Sequence, residues 1–137
     1  GSEMCIRDRV DAINAHGTGT QANDVAETEA IKAVFGARAQ RIPISATKAL
    51  HGHLLGAAGA LECLLSLLAM QHDVLLPTMH LEQADPQCDL DYVPNQARTR
   101  VPTRTLLSNS FAFGGSNAVL VLRATHCQLR AARDRGV

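Results

Sequence analysis

The chain has 137 residues, 46% of them hydrophobic, which is enough to bury one core and too short to divide into two domains. Thirteen basic and thirteen acidic residues cancel, so no long-range field draws nucleic acid or an anionic membrane surface. With one Tyr, three Phe and no Trp there is little on which bases could stack, and a nucleic-acid role is set aside.

Residues 1–9 lack the strand pattern that starts at Val10 and read as a foreign leader. Val10-Asp11-Ala12-Ile13 reads as a strand that runs into the loop His16-Gly17-Thr18-Gly19-Thr20. Asn23 or Asp24 can cap the helix after that loop, with Glu27 three residues after Asp24 as a capping box requires. Ile31, Val34 and Phe35 then fall at helical spacing, and Gly36 ends the run. Ile42-Pro43-Ile44 reads as a second strand, followed by a loop from Lys48 to His53.

Leu54 to Met70 is apolar nearly all round, which predicts a helix buried on most faces. Gly56 and Gly59 cost such a helix stability, and close approach of another backbone is the expected reason for them. The run is short for a membrane span, and Glu62 interrupts it. Asp73 to Arg104 holds four of the five prolines and reads as a long connection with a little strand at Val74-Leu75-Leu76. Thr105 to Ser108 and Ala118 to Leu122 are strand-like runs around Gly114-Gly115, and the Arg-rich stretch 125–137 reads as a surface tail. This alternation predicts an α/β layered domain over residues 10–124, a mixed sheet packed with helices.

The chemistry-bearing residues gather at the strand ends. His16 and His53 each follow a strand at a Gly-containing turn, where α/β proteins collect ligands; His51, His72, His80 and His126 read as surface or packing residues. A carboxylate at Glu62 among Leu61, Leu64 and Leu65 needs a partner, because desolvating a lone charge costs several kcal/mol. Lys48 is the nearest cation in sequence, and Asp24 and Glu27 are expected to join that network; the alternative has Glu62 facing solvent. His51, His53 and His16 lack a carboxylate or thiolate at ligand spacing, so no metal is expected. Gly52, Gly56 and Gly59 come after Lys48 rather than before it, which meets neither nucleotide-binding fingerprint. Cys5, Cys63, Cys88 and Cys127 form no C-x-x-C pair and follow no secretory leader, so reduced thiols in a cytoplasmic protein are expected.

With Asn109-Ser110-Phe111-Ala112-Phe113-Gly114-Gly115, these segments resemble the β-ketoacyl-acyl carrier protein synthases, condensing enzymes of the thiolase-like fold. The resemblance runs from about Val10 to Arg123 and covers the C-terminal half of that family. It implies that His16 and His53 donate hydrogen bonds to the thioester carbonyl of a malonyl group on acyl carrier protein, stabilising the enolate formed as carbon dioxide leaves. A neutral imidazole suits that task because it donates without a charge.

The resemblance also implies support of the histidines by Lys48 and Glu62, and binding of the phosphopantetheine arm by Thr18 and Thr20. Phe113 matches a gating phenylalanine, and Phe111 and Gly114 go with it as substrate-binding residues, although Phe111 and Phe113 alternate to one face and could be core. Asn23 and Ala112 stand where many members carry glycine. None of the four cysteines fits the nucleophile, which the unmatched N-terminal half would supply. Taken together, the resemblance implies the C-terminal segment of a β-ketoacyl-acyl carrier protein synthase of fatty-acid biosynthesis, with no bound cofactor, acyl carrier protein as partner, a homodimeric full-length enzyme, and no condensing activity in this chain alone. The alternatives are a non-catalytic partner similar to chain-length factors, and a polyketide ketosynthase.

Overall fold

The computed structural model describes residues 6–125; the first five residues of the expected leader, including Cys5, and the expected tail beyond Thr125, including His126 and Cys127, lie outside it. In chain order the elements are β1 (Ala12–Asn14), α1 (Gln21–Phe35), β2 (Ile44–Ser45), α2 (Lys48–His51) and α3 (Ala58–Gln71). They are followed by β3 (Val74–Leu75), β4 (Arg98–Thr99), β5 (Thr105–Phe111) and β6 (Asn117–Arg123). Four strands form one mixed sheet in the order β2-β1-β5-β6: β1 pairs in parallel with β2 and β5, and β6 folds back antiparallel on β5. β3 and β4 make a separate antiparallel pair inside the proline-rich connection.

Strand alternation divides the core into two. Ile13, Ala15, Ile44 and Leu107 face α1 and pack with Val10, Ile31, Phe35, Ala39, Ile42, Leu90 and Tyr92. Ala12 and Leu106 face α3 and pack with Met70, Leu75, Val93, Val101 and Leu122. Ile13 and Ile44 are 1% and 0% exposed, and burying each contributes roughly 1.5–3 kcal/mol. Leu90 and Val93 show that the long connection seals both faces rather than skirting the surface. The Asp11 carboxylate fastens its end by accepting from the Arg104 and Thr105 N–H groups at 2.8 and 2.9 Å.

Several local expectations are corrected. α1 begins after Thr20 without any side-chain cap, so the capping box of Asn23 or Asp24 with Glu27 does not form; Asp24 and Glu27 bind the preceding loop instead. Gly36 does end α1, at φ 55, and leads into a 3-10 segment through Arg41. The expected Lys48 to His53 loop contains the single turn α2, closed by Gly52.

The largest correction concerns α3. Its buried stripe is Ala58, Glu62, Ser66, Ala69 and Met70, while Leu64, Leu67 and Leu68 are 53%, 48% and 43% exposed. The sheet beneath is polar at Asn14 and Ser108, so this helix turns its polar and small residues inward where hydrogen bonds await them. The expected helix starts only at Ala58, after a 3-10 turn over Leu55–Ala57, and close backbone approach does not explain the two glycines: a Cβ at Gly56, in that turn, would meet nothing within 4 Å, and one at Gly59, in α3, only Ser110 Oγ at 3.6 Å. Among the described residues no helix is long and apolar enough to cross a membrane.

Candidate active site

The site forms where the parallel strands β1 and β2 end. After β1 the chain turns at Gly17, where φ is +43° and an added Cβ would lie 2.6 Å from the Ala46 Cβ, so this turn admits only glycine. That turn sets His16 beside α2. Lys48 and Glu62 are 6% and 1% exposed and form the expected buried ion pair, with Lys48 Nζ donating to Glu62 Oε1. Lys48 Nζ also lies 3.4 Å from His16 Nδ1.

An ammonium has no lone pair, so the His16 Nδ1 facing it is the acceptor, and the ring proton of the neutral imidazole sits on Nε2. Burial, and then the positive charge of Lys48, push the His16 pKa below its usual value, while Glu27 and Glu62 pull the other way. His53 reaches the same state by another route: its Nδ1 accepts the Leu55 N–H at 3.1 Å, again leaving Nε2–H as donor. The two rings meet edge to face at 84°, with centroids 5.6 Å apart. The Phe111 ring lies 5.7 Å from His16.

Asp24 and Glu27 make no hydrogen bond with Lys48; Glu27 meets its network through the His16 backbone, and the Asp24 carboxylate binds Gly19 and Asn23. Glu27, 5% exposed, accepts the His16 N–H on Oε1 and the Gly17 N–H on Oε2, each at 3.0 Å. Asn109 Nδ2 donates to the same Oε1 at 3.0 Å. Asp24 accepts the Gly19 N–H at 3.2 Å. Both carboxylates therefore hold loop backbone.

Four buried polar residues of the site have no role assigned from the sequence: Asn14, Thr47, Ser66 and Asn109, the last although it opens the Asn109 to Gly115 segment. Asn14 donates to Glu62 O and Ser66 Oγ and accepts from Thr47 Oγ1, bracing the helix turn that carries Glu62. The sequence signal that could have found two of them is an amide directly after each of two strand runs, at Asn14 and at Asn109, where the Asn109 to Gly115 segment opens.

Thr18 and Thr20 share a hydrogen bond of 2.9 Å, with Thr18 half-buried and Thr20 exposed. Thr18 lines a cavity of about 440 Å³ together with Lys48, His53, Met79, Cys88 and Tyr92. Phe113 is fully exposed on the β5–β6 turn, made by Gly114 and Gly115 at φ 83° and 81°; it is not core, and Phe111 is the phenylalanine beside His16. Cys63 is half-buried on α3. Among the described residues no three His, Cys, Asp or Glu side chains converge as a metal site would need.

A mixed sheet layered with helices, carrying paired imidazoles at its parallel strand ends, is the thiolase-like fold of ketosynthases. The chain matches the family described as beta-ketoacyl synthase, C-terminal domain, over residues 4–82, and it belongs to that family. It is 56% identical over 114 residues to Nodulation protein E of Rhizobium sp. (strain N33), covering 83% of this chain and 28% of that protein. Identity is 53% over 115 residues to 3-oxoacyl-acyl-carrier-protein synthase 2 of Coxiella burnetii, covering 84% and 28%.

Among solved structures, a beta-ketoacyl synthase from Burkholderia phymatum STM815 superposes with a TM-score of 0.82 at 40% identity, covering 88% of this chain and 29% of that one. A type II polyketide ketosynthase in complex with its acyl-carrier protein gives 0.84 at 41%, covering 87% and 29%. The chain thus spans about 28% of the length of the curated relatives it matches.

Proposed function

We propose that this chain supplies the enolate-stabilising side of a β-ketoacyl-acyl carrier protein synthase, which elongates acyl chains in fatty-acid biosynthesis by decarboxylative Claisen condensation. The observation that carries this reading is the pair of imidazoles whose Nδ1 atoms are both occupied as acceptors, so that His16 and His53 each offer a neutral Nε2–H. A malonyl thioester on the phosphopantetheine of acyl carrier protein loses its carboxylate as carbon dioxide. The electron pair of the broken C–C bond moves onto the α-carbon and carbonyl oxygen, and the two N–H groups receive the charge on that oxygen.

Neutrality matters here. An imidazolium would give its proton to the carbanion, whereas a burial-lowered His16 keeps a donor too weakly acidic to quench it. The carbanion then attacks an acyl thioester on a cysteine, the cysteine thiolate leaves, and β-ketoacyl carrier protein results. We place that cysteine on the N-terminal part of the family that this chain does not match, as the resemblance implies; Cys63 follows buried Glu62 within α3, and Cys88, although it lines the cavity with Lys48 and His53, stands in no strand-to-helix elbow. This chain alone is therefore inactive in condensation. Thr18 and Thr20 bind the pantetheine amides, Phe113 with Gly114 gates the acyl group, and the full-length enzyme is a homodimer in the cytoplasm.

The test replaces His16 or His53 by Ala in the synthase that carries this chain. Malonyl decarboxylation is lost while acyl transfer to cysteine persists; equal loss of both half-reactions defeats the assignment. Ketoacyl product from this chain alone, incubated with acyl and malonyl carrier proteins, would overturn its inactivity.

A second reading, a chain-length-factor-like partner subunit, draws on a structural neighbour described as the ishigamide ketosynthase/chain length factor, with a TM-score of 0.82. The retention of His16, Lys48 and His53 in one cluster favours the catalytic reading. Copurification with a separate ketosynthase subunit would favour the second.

A further inference from the structure

We propose that Asn109 is a positioning residue: acting through the Glu27 carboxylate, it locks the backbone that presents the His16 donor to the strand leading into the Phe113 turn. The inference rests on His16 being an enolate donor, but its test does not.

The His16 backbone needs an outside partner. The β1 ladder ends at Asn14, and the Ala15 N–H is the last to find a strand carbonyl, that of Ser45 at 2.8 Å. From His16 onward the loop has left the sheet. The next two N–H groups, of His16 and Gly17, go to the two oxygens of Glu27. Glu27 belongs to α1, so this arrangement alone would fix the loop to a helix and leave it free of the sheet. Asn109 removes that freedom. Its amide, 6% exposed and 82 residues away in sequence, donates to the same Oε1 that accepts the His16 N–H.

β5 also meets the donor directly. Phe111 lies two residues beyond Asn109 and so on the same face of the strand, and its ring stands 5.7 Å from that of His16. The strand thus meets His16 twice, once through a carboxylate and once through a ring, immediately before the turn that carries Phe113. A neutral amide is the apt donor at this point. A cation would pair with Glu27 and cancel the negative charge beside His16, and a carboxylate would repel Glu27.

Backbone amide hydrogen exchange, followed by NMR on the full chain, tests this. The readout is exchange at His16 and Gly17 relative to Ile13, whose N–H donates to the Pro43 carbonyl within the sheet. Global loosening raises all three together and leaves the ratio unchanged. In Asn109→Ala the ratio rises roughly three- to tenfold, the factor expected for losing one buried hydrogen bond from a locally opening loop. Asn109→Asp behaves like the alanine variant at pH 7. As the pH falls, the introduced carboxylate and that of Glu27 take up a shared proton, the bond reforms, and the ratio returns toward that of the unsubstituted chain measured at the same pH. A ratio unchanged in the alanine variant, or an aspartate variant without pH-dependent recovery, overturns the proposal. No substrate enters, so failure of the enolate reading would show in the decarboxylation assay and not here.

Discussion

α1 and α3 flank opposite faces of one sheet, and each sends a buried glutamate toward the same histidine, yet the two carboxylates are satisfied by opposite means. Glu62 on α3 is met by a cation, Lys48, and its second oxygen Oε2 has no hydrogen-bond partner among the described residues. Glu27 on α1 is met only by neutral donors, two backbone N–H groups and the amides of Asn109 and Asn23. The difference separates two tasks. Lys48 of the charged pair fixes the tautomer of His16 and adds to burial in lowering its pKa, and the neutral cluster sets where its backbone lies. The helices themselves both bury polar groups, Glu27 and Thr28 beside Ile31 on α1 and Glu62 and Ser66 beside Met70 on α3, but α3 leaves Leu64, Leu67 and Leu68 exposed.

The largest effect should come from breaking the charged side. Lys48→Met or Glu62→Leu strands one buried charge and costs about 3–5 kcal/mol in urea unfolding, whereas the double substitution costs much less than the sum. Additive losses would show that the pair is not a coupled unit. Glu27→Gln is smaller, about 1–3 kcal/mol, because the amide keeps one acceptor oxygen but turns an N–H toward a loop that offers only donors. A loss equal to that of Lys48→Met would erase the distinction between the two carboxylates.

Titration of His16 by NMR sharpens the comparison by sign. Replacing Lys48 removes a charge that lowers the His16 pKa and should raise it; Glu27→Gln removes one that raises it and should lower it further. Because the folded pKa lies below the usual 6.5, the folded chain binds fewer protons than the unfolded chain just under that pH. This contribution is therefore flat above pH 6.5, and stability falls as pH drops from there toward the folded value. His16→Asn should remove that part of the slope. The smallest effect belongs to the outer face of α3: Leu64→Gln, at a side chain 53% exposed, should change stability by no more than about 0.5 kcal/mol, while a loss of several would mean that this face is covered.

Much of the layered fold is legible in the sequence because its signals are local. Gly36 stops α1 where predicted, Thr105–Phe111 and Asn117–Arg123 flank the Gly114-Gly115 turn, and Glu62 finds Lys48 because an isolated carboxylate among leucines has to find a cation. The same local reasoning fails at α3. Leucines around a helix imply burial all round only if the surface beneath is apolar, and here that surface carries Asn14 and Ser108. It fails at Glu27 for a related reason. The spacing fits a capping box, but the His16–Gly17 loop offers two N–H groups that nothing in the sheet accepts.

The sequence by itself therefore determined the order of the main strands and helices, since glycine and β-branched runs act over a few residues, and that Glu62 pairs with Lys48, since a buried charge needs a partner. Only the tertiary structure decided which oxygen meets which N–H, which face of α3 turns inward, and that Asn109 joins Glu27 across 82 residues. Those outcomes depend on hydrogen-bond satisfaction between elements distant in the chain, and no local pattern encodes the partner.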